Sequence, residues 1–209
     1  MEENALDSAT ARETILLASH NKGKAREMEK ILAPLGYRVI TADRLGVNME
    51  EAKETAATFA GNSMIKARYA YGLIRGAYPV LADDSGICFH GLDDFPGVNS
   101  ARWAPDGQTD YAYKNRKILD LLRDNPDHSC AFHCVLTLID ERGAHQFCGV
   151  CEGEAVEPRS TGEGFGYDPI FLAPSLGKTF GEATIEEKDA ISHRGRACQA
   201  LVNYLESIR

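Results

Sequence analysis

An alternation of extended and helical segments near the start of the chain constrains the fold more than any other feature. Residues 14–19, Thr-Ile-Leu-Leu-Ala-Ser, form a short apolar run that is typical of a buried strand. Met28, Ile31 and Leu32 then recur at helical spacing, and Gly36 ends that segment, after which residues 37–40 indicate another strand. A strand–turn–helix–strand unit predicts an α/β protein whose helices pack against a sheet.

The later segments extend this α/β pattern. Thr58 precedes a stretch of apolar residues at helical spacing, which Gly76 closes. Residues 79–82 form an apolar strand that runs into an Asp-Asp-Ser-Gly turn. Further along we expect a loop at 90–108, a helix at about 109–123, an antiparallel strand pair that turns at 141–143, and one last helix from about Glu187 to Ile208.

Composition and charge exclude several classes of protein. The 209 residues are 44% apolar, as in a globular chain with a real core. The chain has no apolar run of about 18 residues, so we expect neither a membrane span nor a membrane partner. The acidic residues 1–13 lack the apolar stretch of a secretory signal and are expected to form a flexible tail on a single cytoplasmic domain at 14–209. A net charge of −8 argues against nucleic acid as a partner.

Six cysteines raise the question of a zinc site, which the predicted strands argue against. Cys148 and Cys151 are three apart, and residues at that spacing point to opposite faces of a strand. Cys130 and Cys134 are four apart on a strand, which separates them by about 13 Å. We therefore interpret the cysteines as buried thiols in a reducing compartment.

A polar turn between the first strand and the first helix has the composition of an anion site. Ser19, Asn21 and Lys24 surround Gly23, which relieves the turn. Backbone N–H groups at a helix N-terminus and a lysine ammonium both attract phosphate. The same residues would also suit a capped surface helix with solvated lysines. The glycine spacing of a P-loop is absent, so a Walker-type nucleotide site is excluded.

Two adjacent carboxylates, Asp83 and Asp84, follow the apolar strand at 79–82. Such a pair is costly to desolvate without a cation or hydrogen-bond donors. Oxygen ligands without converging His or Cys favour Mg²⁺ over zinc. The competing interpretation is a capped turn, since Asp-Asp-Ser-Gly is ordinary turn chemistry. Glu54 could add a second carboxylate or simply lie favourably near a helix N-terminus.

Two further segments carry groups suited to a nucleotide. Asn62 and Lys66 lie four apart and share one face of a predicted helix, where they either serve a site or face solvent. In the Gly-Phe-Gly-Tyr-Asp-Pro segment, Phe165 offers a flat face and Asp168 an acceptor, in a turn that glycine and proline would also form without any ligand. The His193–Arg194 pair supplies directed donors for a base carbonyl or a phosphate.

These elements occur together and in order. Ser-His-Asn-Lys-Gly-Lys, Ala-Asp-Asp-Ser-Gly, Pro-Gly-Val-Asn-Ser-Ala-Arg, Gly-Phe-Gly-Tyr-Asp-Pro and Ser-His-Arg-Gly, with the segment from Glu54 to Ala67, strongly resemble the inosine triphosphate pyrophosphatase family, the dITP/XTP pyrophosphatases. The resemblance runs from about Thr14 to the C-terminus. It implies an α/β fold with a long curved mixed sheet, flanking helices and two lobes around a nucleotide cleft. It also implies a homodimer that uses Mg²⁺.

The resemblance assigns roles to individual positions. Asp84 matches the metal ligand that is also the proton acceptor, and Glu54 matches a second metal ligand. Ser19-His20 stands where the family often has Thr-Gly, and Lys53 stands where relatives often carry Glu, which leaves open whether Glu54 or Glu51 is that ligand. The phosphate-binding positions are Ser19, His20, Asn21, Lys22, Gly23 and Lys24, and the other substrate-binding positions are Ser85, Phe165, Gly166, Tyr167, Asp168, Lys188, His193 and Arg194.

The sequence therefore predicts hydrolysis of a non-standard purine nucleoside triphosphate to the monophosphate and pyrophosphate. Asp84, or Asp83 through a water, would take the proton, while Asn21, Lys24 and Lys66 would hold the phosphates. Phe165 would stack on the base. Two alternatives stay open at this point: a non-catalytic purine nucleotide sensor, and a pyrophosphatase for modified pyrimidine nucleotides.

Overall fold

The computed structural model describes residues 14–19, 22–105, 109–160 and 165–208, without the side chain of Lys22. The predicted site residues His20 and Asn21, like Gly164 of the glycine-rich segment, lie outside the described residues. The chain divides into two compact units. The first comprises Met1–Asp84, Val135–Phe147 and Cys198–Arg209, and the second comprises Ser85–Cys134 and Cys148–Ala197.

Three parallel strands organise the first unit. Strand β1 (Thr14–Leu17) pairs along its whole length with β2 (Arg38–Thr41). Its other edge pairs with the beginning of β3 (Val80–Phe89). Parallel neighbours need a crossover connection, and the predicted helix supplies it. The strand–turn–helix–strand unit is therefore confirmed.

Helices α1 (Lys22–Leu32) and α2 (Phe59–Leu73) have the ends that their sequences predict. A short 3₁₀ turn follows α1 and closes at Gly36, whose φ of 77° is open to glycine at little cost. Thr58 caps α2, because its side chain accepts a hydrogen bond from the N–H of Gly61. Both helices thus begin or end where cap residues satisfy the backbone groups that the last turn leaves unpaired.

Eight strands of the described chain form one mixed sheet, which confirms the predicted α/β class. The hydrogen-bonded order is β2-β1-β3-β5-β6-β7-β8, and β4 pairs with β3 off this path. The pairs β3–β4, β6–β7 and β7–β8 are antiparallel. The remaining strands are β4 (Phe95–Pro96), β5 (Ser129–Asp140), β6 (Gly143–Ala155), β7 (Phe171–Ala173) and β8 (Lys178–Thr179).

The other helices are α3 (Tyr111–Leu122), α4 (Ile185–Ile191) and α5 (His193–Ser207). The prediction of one continuous last helix is wrong, because Ser192 adopts an extended conformation with ψ of 158°. Its hydroxyl accepts a hydrogen bond from the N–H of Gly195 and so starts a new helix. The break separates two helices that the apolar spacing alone would join.

The predicted end of the apolar strand at Asp83 is also wrong, and so is the competing interpretation of Asp-Asp-Ser-Gly as a capped turn, because β3 continues to Phe89. Two contacts hold the second half of the strand extended. Cys88 and Phe89 pair with β4, and the hydroxyl of Ser100 accepts a hydrogen bond from the N–H of Ile87. Tertiary pairing has overridden a local turn preference at Asp83 and Asp84.

Each unit has its own apolar core. In the first, Leu16, Ile40 and Val80 from the parallel strands pack with alanines of α2. In the second, Phe132 stacks against Phe180, and Phe171 packs on both rings. Burying each such aromatic or aliphatic side chain contributes about 1.5–3 kcal/mol. No helix in the described part of the chain is long and apolar enough to cross a membrane.

The cysteines follow the predicted strand geometry. Cys151 is buried, and Cys148, three residues before it, is exposed, so the two point to opposite faces as expected. Cys130 and Cys134 are both buried. Within the described ranges, no group of three or more His, Cys, Asp and Glu side chains is arranged to hold a metal ion. The expectation that every thiol is buried is wrong for Cys148 alone among the six.

Candidate active site

The two adjacent aspartates of β3 are paired with lysines from different helices. Asp83 lies 2.6 Å from the ammonium of Lys24, which α1 carries in its first turn. Asp84 lies 2.8 Å from the ammonium of Lys66, which α2 carries. Neighbouring side chains point to opposite faces of a strand, so one strand presents a carboxylate to each helix. Both aspartates are buried.

Lys66 bridges two carboxylates, because its ammonium also lies 3.2 Å from Glu54. Buried polar residues of helix α2 hold that helix against β3 and against the segment before it. The hydroxyl of Ser63 lies 3.2 Å from the carbonyl of Ala82 on β3. The side chain of Asn62 accepts a hydrogen bond from the N–H of Ala56, which orders the segment that carries Glu54. Of the two predicted fates of Asn62 and Lys66, solvent exposure is therefore wrong for Asn62, which is fully buried.

Burial and charge compete within this group. Burial alone would lower the pKa of Lys66, but the attraction of Asp84, Asp83 and Glu54 outweighs it, and the pKa is raised. Burial raises the pKa of Asp84, and the nearby carboxylates add to this, while Lys66 opposes it. A simple ion pair would lower the pKa of its acid. At Asp84, burial and the neighbouring carboxylates together outweigh the stabilisation of the charged form by Lys66, and the pKa is raised.

The donor set partly fits a divalent cation. The second oxygen of Asp84, Oδ2, is buried and has no hydrogen-bond partner among the described residues. A buried carboxylate oxygen in that state suits a hard cation, which prefers oxygen ligands. Glu54 lies 3.2 Å from the same ammonium. Glu51 instead accepts a hydrogen bond from the hydroxyl of Tyr69, which favours Glu54 as the partner of Asp84.

A second group of predicted residues lines a cavity of about 130 Å³ in the second unit. Phe165 stands at this cavity with 74% of its surface exposed, and its ring lies 5.3 Å from that of Tyr111. An aromatic ring left this exposed offers a face to a planar ligand. The cavity is lined by Ser85, Gly86, Ser100, Ala101, Tyr111, Phe132, Phe165, Gly166, Tyr167, Asp168, Lys188, His193 and Arg194, and we call it the base pocket.

Asp168 and Tyr167 hold the glycine-rich segment in place. One oxygen of Asp168 accepts hydrogen bonds from the N–H of Phe165 at 2.9 Å and from Lys188 at 2.6 Å. The hydroxyl of Tyr167 donates to the carbonyl of Ser100 and accepts from the indole N–H of Trp103. Burial raises the pKa of Tyr167. Its hydroxyl is thus engaged by the protein on both sides.

The Ser-His-Arg-Gly segment is built for a close approach of backbones. A Cβ on Gly195 would lie 2.0 Å from the carbonyl oxygen of Asp189, so only glycine fits. His193 stacks on Phe132 with ring centroids 4.7 Å apart and planes within 10°. The guanidinium of Arg194 donates to the hydroxyl of Ser85 at 3.3 Å. Two cationic or donor side chains are thereby held at the wall of the base pocket.

A family model described as the Ham1 family matches residues 15–204. The chain belongs to the Ham1 family. A relative from Nitrosomonas europaea named dITP/XTP pyrophosphatase is 45% identical over 196 residues, which cover 91% of this chain and 93% of that protein. A relative of the same name from Escherichia coli is 41% identical and is covered to 98% of its length.

Solved structures of Ham1 proteins share the fold. The structure of the Staphylococcus aureus Ham1 protein matches with a TM-score of 0.85 and 32% identity, covering 94% of this chain and 100% of that one. A Ham1 protein from Coxiella burnetii matches with a TM-score of 0.84 and 40% identity, covering 93% and 98%. The predicted family and the predicted mixed α/β fold are confirmed.

Some residues around the Ham1 base pocket were not predicted from the sequence. Tyr111 and Ser100 line it, and Lys114 and Asn115 reach its walls through hydrogen bonds. Lysine and asparagine inside a helical segment look like solvent-facing residues, so no signal pointed to them. A separate cavity of about 350 Å³ in the first unit, lined by three tyrosines and Arg142, contains none of the predicted site residues, and we assign the chemistry to the charged group and the base pocket.

Proposed function

We propose that this protein hydrolyses non-standard purine nucleoside triphosphates, ITP, dITP, XTP and dXTP, to the monophosphate and pyrophosphate. The observation that carries the proposal is the charged group of Glu54, Asp83, Asp84, Lys24 and Lys66, in which both aspartates are buried. Titratable side chains brought together in this way are concentrated at functional sites. The dITP/XTP pyrophosphatase names of relatives that are 40–45% identical support this reading.

Asp84 and Glu54 are the residues that would hold a divalent cation, and we propose Mg²⁺ because every candidate ligand is a carboxylate oxygen. When bound, Mg²⁺ offsets the charge of phosphate oxygens and makes a nearby water more acidic. The buried Oδ2 atom of Asp84 supports this assignment, since it has no other partner within the described residues.

The chain's own side chains supply the remaining chemistry. Hydrolysis adds water across the α–β phosphate bridge, so a proton must leave the attacking water. Asp84 accepts it, or Asp83 does so through an intervening water, since both carboxylates lie on β3. Lys24 and Lys66 hold the phosphates and stabilise the charge that develops on the departing pyrophosphate. The first residues of α1, from Lys22 to Lys24, add backbone N–H groups at the start of that helix.

The base pocket supplies selectivity for the purine. Phe165 stacks on the base, because its ring is exposed at the pocket. His193 and Arg194 donate hydrogen bonds to the oxygen at purine position 6. Adenine carries an amino donor at that position, so it would leave a donor unpaired, which costs about 1–3 kcal/mol. Ser85, Gly166, Tyr167, Asp168 and Lys188 complete the walls of the pocket.

One experiment tests the reaction and separates it from a nucleotide sensor. ITP is incubated with the protein and Mg²⁺, and the products are resolved by ion-exchange chromatography and ³¹P NMR. We expect IMP and pyrophosphate. Release of IDP and orthophosphate would contradict cleavage at the α–β bridge, and binding of ITP without turnover would identify a sensor. A modified pyrimidine triphosphate cleaved faster than ITP would favour the pyrimidine alternative.

We also propose that the protein acts as a homodimer in the cytoplasm. The family resemblance motivates the dimer. Light scattering at micromolar concentration should give about twice 22.9 kDa. A mass of one chain at every concentration would contradict it.

A further inference from the structure

Two consecutive polar residues of helix α3 are buried, although lysine and asparagine usually lie on the solvent-facing side of a helix. Lys114 is 1% exposed and Asn115 is 4% exposed. Burial lowers the pKa of the Lys114 ammonium. No described carboxylate lies within ion-pair distance of Lys114. Burying an ammonium without an acid partner is costly, so its contacts need an explanation.

The two side chains reach two different backbone segments of the base pocket. The ammonium of Lys114 donates to the carbonyl of Ala101 at 2.7 Å and lies 4.6 Å from the ring centroid of Tyr111. The amide of Asn115 donates to the carbonyl of Gly166 at 3.1 Å. Ala101 and Gly166 both line the pocket, and so does Tyr111 of the same helix.

From this arrangement we infer that Lys114 and Asn115 are positioning residues, which hold the two backbone walls of the base pocket at the spacing that lets it discriminate between purines. The inference rests on the proposed function of that pocket. We do not propose that either residue contacts the base. Both act through carbonyl groups that they hold from a single rigid helix.

The orientation of Asn115 is fixed by its contact. Reversing the amide would set its oxygen against the carbonyl oxygen of Gly166, so only one orientation is compatible with the hydrogen bond. Its own oxygen is buried without a partner in the described part of the chain. Gly166 itself has a φ of 69° and belongs to no helix or strand. The amide of Asn115 therefore adds a contact from helix α3 to the local hydrogen bonds that Asp168 makes within the segment.

The consequence for selectivity follows from geometry. Discrimination between a 6-oxygen and a 6-amino group depends on donors that meet the base at a fixed position, and a looser pocket allows water or a shifted base to relieve the mismatch. Loss of either restraint should lower kcat/KM for ITP by a larger factor than kcat/KM for ATP. A variant that is merely less stable would lower the turnover of both nucleotides by the same factor.

The test compares Lys114→Met and Asn115→Leu with Lys117→Met. Lys117 is exposed on the same helix and lies 5.6 Å from the ring centroid of Tyr113, so its substitution removes an equivalent charge and ring contact away from the pocket. KM for ITP should rise roughly 5- to 30-fold in the first two variants, the scale of one lost buried hydrogen bond. kcat should stay nearly unchanged, the ratio of kcat/KM for ITP to that for ATP should fall, and Lys117→Met should behave as wild type.

A second readout is independent of catalysis. Trp103 is the only tryptophan in the chain, and it lies two residues after Ala101 and bonds to Tyr167. Its emission should shift in Lys114→Met and not in Lys117→Met. Titration with ITP in EDTA, followed by the same emission, should give weaker binding in Lys114→Met and Asn115→Leu. This arm remains decisive even if the wild type proves to bind ITP without cleaving it.

Unchanged ITP-to-ATP ratios in folded variants would overturn the inference, as would equal losses for both nucleotides. Failure of both variants to fold while Lys117→Met folds would also overturn it, because Lys114 and Asn115 would then be needed for the core rather than for the pocket. Circular dichroism and thermal melting decide between these outcomes.

Discussion

Replacing Lys66 by Met isolates the charge that bridges the two proposed metal ligands. Its ammonium lies 2.8 Å from Asp84 and 3.2 Å from Glu54, and all three side chains are at least 79% covered. At an effective dielectric constant of about 20, each of these contacts amounts to roughly 5 kcal/mol of attraction before desolvation is subtracted. Removing one partner of a buried pair typically destabilises a protein by about 3–5 kcal/mol. For a chain of this size the melting temperature should fall by roughly 6–20 °C.

The decisive measurement is how Mg²⁺ changes that loss. In the wild type a cation must compete with the ammonium of Lys66 for Asp84 and Glu54. In Lys66→Met that ammonium is absent, and the two carboxylates are left without it. Ligand at about 100 times its dissociation constant adds roughly 2.7 kcal/mol of stability. Millimolar Mg²⁺ should therefore raise the melting temperature of Lys66→Met more than that of the wild type, in the absence of any nucleotide.

Lys53→Met is the matched control, since Lys53 is exposed next to Glu54 in the sequence and its loss changes the net charge equally. It should melt within about 2 °C of the wild type, as surface substitutions usually do, and show the wild-type response to Mg²⁺. Equal Mg²⁺ responses in Lys66→Met and the wild type would refute the assignment of Asp84 and Glu54 as the cation ligands.

Three further predictions follow from the site and its surroundings. Asp84→Asn should lower turnover by about 10²-fold or more and should still fold, because Lys66 keeps its contact with Glu54; a folded variant with near-normal turnover would exclude Asp84 as the proton acceptor. Phe165→Ala should raise KM for ITP about 5- to 150-fold, the equivalent of 1–3 kcal/mol of base stacking, with kcat retained, whereas Phe95→Ala at a more covered aromatic outside the pocket should not. Burial lowers the pKa of His133 in the folded state, so the folded protein favours the neutral imidazole. The free energy of unfolding is therefore unaffected by this group above the unfolded-state pKa and decreases as the pH falls below it. His133→Gln should therefore lose less melting temperature than the wild type between pH 7.5 and 5.5, and an equal loss would contradict the sign.

The regular elements could be predicted because their signals are local. Met28, Ile31 and Leu32 mark one helix, Thr58 caps another, and the apolar runs at 14–19 and 79–82 are buried strands. Periodicity and capping depend on neighbours within a turn or two, which the sequence contains in full. The order of the motifs then gave the family, although no single motif would have done so.

The two wrong element boundaries have different causes. Asp-Asp-Ser-Gly favours a turn locally, but the backbone of Ile87 is bonded to Ser100 thirteen residues later, and β3 stays extended. The apolar helical spacing continues through Ser192, but Ser192 is extended and caps a new helix through the N–H of Gly195. The first boundary depends on a contact that the neighbouring residues do not contain, whereas the second had a local signal, the serine cap, that the apolar spacing obscured.

The site residues also differ in whether the local sequence identifies them. Asp84 could be predicted because a carboxylate directly after a buried strand is unusual. Lys66 could be predicted because it lies in a specific family motif. Lys114 and Asn115 could not, since nothing in a helical stretch distinguishes a buried lysine from a solvated one. Their burial depends on where Ala101 and Gly166 lie, which is a property of the folded chain.

The cationic side chains proposed to meet the substrate already have partners within their own unit. Lys24 pairs with Asp83, Lys66 with Asp84 and Glu54, and Lys188 with Asp168. A small anion such as orthophosphate could displace one such carboxylate only by leaving it buried without its counter-charge, which costs more than the new contact returns. We propose that a triphosphate carrying Mg²⁺ avoids this cost at Lys66, because a phosphate would replace Asp84 and Glu54 at the ammonium while the metal would take up those two carboxylates. The pre-paired charges thus favour the metal-bound triphosphate over simpler anions, and orthophosphate should inhibit the reaction only weakly.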